Sequence, residues 1–371
     1  MKDSNSIGIV RFPASSAGAG PLENLVTICD SIKERVYVIS GNESFEEISE
    51  SEDIEIFRVD HDKGSNIISR SLKYLLTQVK MATGIIKKSK INHYVFFWSG
   101  FLLVPLLVGK FTGKNITIAL MGKPFGYDLE QEEHMPVVQL CFSLSDNLIL
   151  YSPNLIEEWG LERFRDKIKI AHRHIIDFES FKIIKKYQDR NYDIGYIGRF
   201  EEVKNVRSFV KSVPHLLKKD ENLNIFLGGD GNQKEEVLDF IEKKNLQENI
   251  HYEGWIDHED LPQYLNDIKL LVIPSYSEGL PNIMLEAMAC GTPVLISPVG
   301  AVPDIVEDGK NGFILEDNSP EGIAKRVNEI MKYDEDKMNK IIENANEMVR
   351  NEFNFENVQE NYREILTNIK D

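Results

Sequence analysis

The chain has 371 residues, 42% of them hydrophobic and 28% charged, and a formal net charge of −17. This composition fits a soluble globular protein of about two domains and excludes a low-complexity or disulfide-stapled chain. The charge is uneven: residues 1–190 carry 24 Lys/Arg against 25 Asp/Glu, a net of −1, and the rest carry 19 against 35, a net of −16, which argues against a nucleic-acid binder.

The N-terminal "MKDSNSIGIV" passes from polar residues into a strand-like run and does not read as a secretory signal. Buried-type strands are predicted at "IGIVRF", "RVYVIS", "IEIFRV", "YVFFWS", "ITIALM" and "NLILYS". Helices are predicted near 21–33, 66–88, 101–112, 130–144 and 154–160. From Lys63 through Lys123 there are ten basic residues and no acidic one. The predicted helix "NIISRSLKYLLTQVKMATGIIKK" places Arg70, Lys73, Lys80 and Lys87 along one stripe. Ile68, Leu72, Leu75, Leu76, Val79 and Ile86 form much of the other side. Such a helix either docks its basic stripe on an anionic membrane or keeps a solvated basic face and a buried apolar one. The run "VFFWSGFLLVPLLVG" has fifteen residues, too few to span a bilayer, and reads as strand, turn and core helix, with an interfacial membrane segment as the alternative.

The polar stretch "SFKIIKKYQDRN" reads as a linker. After it a second set of strands begins: "DIGYIG", "LNIFLGG", "IHYEGW", "LLVIPS" and "PVLIS". Helices alternate with them near 203–219, 232–245, 259–267, 281–290 and 301–307, and the chain ends in charged helix from Glu321. Two doubly wound α/β units in series are expected. Cys29, Cys141 and Cys290 are far apart among apolar neighbours and read as buried thiols.

Three segments carry chemistry. In "GYIGRFEEVKN", Arg199 follows a strand end and Lys204 opens the next helix, which suits a pyrophosphate: a donor fork, a point charge and free helix N–H groups. The alternative is a capped helix with solvated charges. In "LGGDGNQKEE", glycines including Gly229 permit close backbone approach to a ligand. In "SYSEGLPNIMLEAMACGTPVLIS", Glu278 lies in a loop at a strand's carboxyl end and Glu286 inside an apolar helix, where a carboxylate is costly unless paired. Pro281 fits a first helical position.

Together these segments resemble the retaining glycosyltransferases of the GT-B fold in family four, the glycosyl transferases of group 1. The resemblance covers most of residues 190–316 and rests on "GRFEEVKN", "GGDGNQKEEV", "YEGWI", "VIPSYSEGLPNIMLEAMACGTPVL" and "VPDIVEDGKNGFIL". It implies two Rossmann-like domains facing across a cleft: an acceptor-side domain over 1–187 and a nucleotide-sugar-binding domain over 188–354, with the last helix, 355–371, packing back on the first. It implies that Arg199 and Lys204 hold the donor diphosphate, Glu278 the sugar and Glu286 the ribose. Gly279, Leu280, Pro281 and Asn282 would cradle sugar and phosphate by backbone, with Gly229 beside them. The base would lie near Ile256, and Gly18 and Gly20 would form the small-residue first loop.

The chain departs from the family where a histidine commonly touches the donor sugar; Met121 stands there, and Lys123 or a backbone group would replace the contact. Asp177 is retained at the hinge, where His172 and His174 face one side as hinge-lining residues. Asp60, His61 and Asp62 lie in the wrong context for a metal site. The resemblance implies no metal and no cofactor, the nucleotide-diphosphate sugar being substrate. The expected protein is a cytoplasmic, metal-independent hexosyltransferase-type enzyme acting on a glycan or lipid-linked acceptor, with docking of residues 66–88 on the inner face of a membrane as one of the two readings of that helix. A nucleotide-sugar 2-epimerase and a non-catalytic nucleotide-sugar-binding subunit are the alternatives.

Overall fold

The computed structural model describes residues 3–13, 19–33, 35–41, 52–62, 65–97, 102–120 and 135–367. Among these, the chain divides into two compact units: one holds the residues up to Leu120, residues 135–175 and those from Glu356, and the other holds 176–355.

The first unit is built on a parallel sheet of β1 (Asp3–Arg11), β2 (Arg35–Ser40), β3 (Ile54–Arg58), β4 (Ile91–Phe97), β5 (Asn115–Ala119), β6 (Asn147–Leu150) and β7 (Ile168–Ile170). Their order is β3-β2-β1-β4-β5-β6-β7. Central strands such as β2 and β4 are near-continuous buried apolar runs because both faces of a parallel sheet are covered. The helices are α1 (Ala19–Ile32), α2 (Ile67–Lys87), α3 (Leu103–Phe111), α4 (Met135–Leu144) and α5 (Asn154–Glu158). The last helix, α13 (Phe355–Thr367), belongs to this unit: Val358, Tyr362 and Leu366 join the core of Ile9, Leu25 and Cys29.

The second unit carries β8 (Ile194–Ile197), β9 (Ile225–Gly228), β10 (Ile250–Gly254), β11 (Leu271–Ile273), β12 (Val294–Ile296) and β13 (Phe313–Ile314), in the order β10-β9-β8-β11-β12-β13. Its helices are α6 (Val206–Leu217), α7 (Lys234–Lys243), α8 (Leu261–Asp267), α9 (Asn282–Ala289), α10 (Val302–Ile305), α11 (Pro320–Ile330) and α12 (Glu335–Glu352). In each sheet the first strand lies between strands that follow it on opposite sides, β1 between β2 and β4 and β8 between β9 and β11. Such a reversal opens a crevice at the strands' carboxyl ends.

Three expectations change. Residues 176–187, placed by sequence in the first domain, and the stretch 180–191, read as a linker, are part of the second unit. Phe181 is buried, Asn266 Oδ1 accepts from Ile184 N at 2.7 Å, and Asn266 Nδ2 donates to Lys182 O at 3.0 Å. The anchor is Arg190, buried at 4% exposure, whose Nη1 donates to Ile268 O at 2.8 Å and Thr292 Oγ1 at 2.6 Å and whose Nη2 donates to Cys290 O at 2.9 Å. Burial lowers its pKa to about 10, still above neutrality.

Second, the apolar side of α2 is not buried. The helix packs through Thr77, Gln78, Met81, Ala82, Gly84 and Ile85, while Ile68, Leu72, Leu75, Leu76, Val79 and Ile86 face solvent. Third, β7 and β13 were not expected; at three and two residues they are too short for a periodic signal.

Within "VFFWSGFLLVPLLVG", the described part forms the end of β4 and α3, with Pro105 and Leu106 buried; residues 98–101 lie outside the described residues. Among the described residues no helix is long and apolar enough to cross a membrane. The three cysteines are buried and free. Burial pushes the Cys29 and Cys290 thiols up to about 12 and Cys141 to about 11.

Candidate active site

The site residues of the second unit gather at the carboxyl ends of β8 and β11. After β8 the chain passes Gly198 and Arg199 into a 3-10 turn, Glu202–Lys204, which brings Lys204 just before α6 rather than inside it. Asn205 caps the turn in the left-handed region, φ 54°, a conformation asparagine tolerates. Its Nδ2 donates to Pro274 O at 3.2 Å and Asn318 O at 3.1 Å, tying this turn to the end of β11. Tyr196, buried in β8, donates its hydroxyl to Arg199 O at 3.1 Å. Its phenol is pushed far up, by burial first and by the Glu278 charge second, so it stays a donor.

Past β11, Ser275 is buried, and its carbonyl accepts from Asn318 Nδ2 at 3.4 Å. Tyr276 N donates to Val203 O at 2.8 Å. Glu278 then turns inward, its side chain 9% exposed, and accepts from Lys204 Nζ at 2.6 Å. Gly300 supports this loop from behind: it has φ 58°, and a Cβ there would stand 2.2 Å from Glu278 O. Ala301 N donates to Gly279 O at 2.8 Å. Leu280 and Pro281 are buried. Pro281 is the N-cap of α9, one position earlier than expected, and provides no side-chain cap to the helix N–H groups. Asn282, the first residue of α9, is exposed.

Glu286 lies in α9 at 6% exposure, and its Oε1 meets His258 Nε2 at 2.9 Å. Pairing answers why a carboxylate occurs in an apolar helix. His258 is held from its other side by Phe181, ring centroids 5.2 Å apart. Its pKa is raised, first by the hydrogen bond to Glu286, then by the Glu286 and Asp177 charges, with burial opposing.

Gly229 completes this end. At φ 136°, a Cβ there would stand 1.9 Å from Gly198 O, so only glycine lets the β8 and β9 ends meet. Its N donates to Gly254 O at 2.6 Å. Ile256 is half-buried and packs over Gly228.

The structure thus brings together Lys204 with Glu278, and Glu286 with His258. Arg199 is about half exposed and donates instead to Glu201 Oε1 at 2.9 Å. Gly20 lies in α1; Gly18, Met121 and Lys123 lie outside the described residues. His172 and His174 have ring centroids 6.5 Å apart, and burial lowers His172 to about 4. Asp177 accepts from Ser180 Oγ at 2.6 Å. His61 meets Thr77 Oγ1 at 2.9 Å, and Asp62 pairs with Lys73. Tyr196, His258, Gly300 and Asn318 were not singled out by sequence; a glycine after a strand, in "PVGAV", was the one available signal.

The family model described as glycosyl transferases group 1 matches residues 177–348, the segment holding every one of these second-unit contacts. This second-unit segment is similar to the group 1 glycosyltransferases. The chain is 26% identical over 322 residues to a glycosyltransferase of Methanocaldococcus jannaschii, an alignment covering 85% of this chain and 84% of that protein. It is also 26% identical over 241 residues to the N-acetyl-alpha-D-glucosaminyl L-malate synthase of Bacillus anthracis, covering 63% of this chain and 62% of that one. Among solved structures, Anabaena HepE in complex with UDP matches with a TM-score of 0.77 at 17% identity, covering all of both chains, a likeness of fold. The chain therefore has the GT-B architecture of two parallel-sheet, Rossmann-like units.

Proposed function

We propose that this glycosyltransferase moves a hexose from a nucleotide-diphosphate sugar to a hydroxyl of a glycan or lipid-linked acceptor in the cytoplasm, with retention and without a metal. The observation that carries the reading is the Lys204–Glu278 pair at the switch point of β8 and β11. A nearly buried ammonium-carboxylate pair there is held between a strand end and the uncapped start of α9. An arriving diphosphate competes for Lys204 and frees Glu278 to accept from the sugar hydroxyls. Arg199, half exposed, exchanges Glu201 for phosphate at little cost.

The sugar's anomeric carbon–oxygen bond to the β-phosphate breaks, and the leaving diphosphate takes the electron pair. Lys204, Arg199 and the α9 N–H groups stabilise that charge. The acceptor oxygen forms the new bond on the same face and gives its proton to the departing phosphate oxygen. Glu278 orients the ring as positive charge grows on it, and Glu286 takes the ribose hydroxyls, displacing His258. Uridine nucleotides are the first donors to assay, because Anabaena HepE was solved with UDP.

Proton NMR of the product reads the mechanism. The anomeric configuration of the donor should persist, at an unchanged rate in excess chelator. Inversion, or loss of turnover restored by a divalent ion, overturns the proposal.

A further inference from the structure

The proposed lipid-linked acceptor leaves open how the enzyme reaches a membrane, and α2 bears on this. The helix is stabilised by its own chemistry: Asn66 and Ser69 form a reciprocal capping box at its start. Its contact with the unit is narrow and partly polar, with Thr77 bonded to His61 and Gln78 Oε1 accepting from Val104 N at 3.0 Å. On the outer side Ile68, Leu72, Leu75, Leu76, Val79 and Ile86 are between 46% and 82% exposed. Their spacing makes one stripe along the helix. Ile67, at the helix start, is 80% exposed as well. Scattered exposed apolar residues are ordinary on a soluble protein, but a continuous ridge marks an interaction surface.

Charge selects the occupant. Lys73, Lys80 and Lys87 run at spacings of seven along the flank of the ridge. No acidic residue occurs between Lys63 and Lys123. The nearby carboxylates are engaged, Asp62 with Lys73 and Glu55 with Lys88 at 2.6 Å. A second copy on a two-fold axis would set this basic flank against itself. An anionic bilayer satisfies both faces at once, acyl chains taking the ridge and headgroups the lysines.

We propose that α2 is a membrane-inserting helix: its apolar ridge lies in the acyl boundary of an anionic bilayer and Lys80 and Lys87 bind the headgroups. The docking mode is therefore insertion with electrostatic support, which differs from both sequence readings, the basic-stripe recruitment and the buried apolar face. The inference deepens the lipid-linked acceptor reading but stands on surface chemistry alone.

The test is vesicle co-sedimentation of the full chain. It should bind vesicles of phosphatidylcholine mixed with phosphatidylglycerol, and moderate salt should weaken this binding without abolishing it. Leu72→Gln with Leu75→Gln should lower it by about tenfold. Lys80→Glu with Lys87→Glu should remove the preference for the anionic vesicles. Leu72, Leu75 and Lys80 are exposed, while Lys87 Nζ stands 4.8 Å from the Phe57 ring centroid; thermal stability should therefore stay unchanged in the leucine variant, and nucleoside diphosphate affinity in both variants, and those readouts separate failure of docking from failure of the donor site. Equal sedimentation of wild type and the leucine variant overturns the proposal. So does a dimer in analytical ultracentrifugation that the leucine variant abolishes, which would make a second copy the occupant.

Discussion

Glu278 and Glu286 have different neighbours, and that difference predicts different losses. If Glu286 takes the ribose as proposed, Glu286→Gln replaces one of its two acceptor oxygens with a donor and removes its charge, and should weaken binding of a free nucleoside diphosphate by about tenfold, whereas Glu278→Gln should leave that affinity nearly intact and slow transfer. Calorimetry beside initial rates decides it, and equal loss of affinity in both variants contradicts the division. His258 adds a pH dependence. Its partner Glu286 raises it above the ordinary imidazole value of 6.5, with Asp177 contributing and Phe181 packed on the ring. The stabilisation from this pair is present below the unfolded value and lost as pH rises through the raised folded one. Protonated His258 grips Glu286 against the ribose, so nucleotide affinity should rise with pH across that window. His258→Ala should flatten the rise, and the comparison cancels the nucleotide's own titration. Identical pH slopes in the two proteins would refute the competition. The two glutamates are legible in the sequence because a seven-residue separation beside "EAMACGTPV" is a rare pattern. His258 is not legible, because a lone histidine in "WIDHED" looks like any exposed loop residue until α9 is folded beside it.

At the scale of elements, the fold was legible wherever strands are buried on both faces, as in "RVYVIS" and "KLLVIP", and helices are amphipathic against them. The polar segment before β8 misled because its composition is that of a linker while one residue fixes it. Arg190 is surrounded by carbonyls of Ile268 and Cys290 and the Thr292 hydroxyl, partners 78 to 102 residues distant in sequence. No local pattern reports such contacts. Arg190→Met should leave buried carbonyls unsatisfied and cost about 3 kcal/mol, lowering the melting temperature of the second unit by about 10 °C. A change under about 2 °C by calorimetry would show that the segment is held by other contacts. α2 misled in the opposite way: amphipathic periodicity reveals an apolar face without saying whether protein or something else covers it.

For the whole molecule, the second unit carries both the family signature and most of the negative charge, and the first carries the basic, acid-free segment. In the proposed reading the donor site is built by motif and the acceptor side is not, which is why the reaction class was legible and the acceptor was not. The proposed reaction is sugar transfer at the Lys204–Glu278 pair. The direct measurement is a donor panel with mass-spectrometric detection of products, run on wild type and Lys204→Ala with extracted glycans and membrane lipids as acceptors. One nucleotide-diphosphate sugar should be consumed, an acceptor should gain the mass of its sugar, and Lys204→Ala should slow this about a thousandfold. Donor returned as its epimer, donor bound without turnover, or full transfer by Lys204→Ala would contradict it.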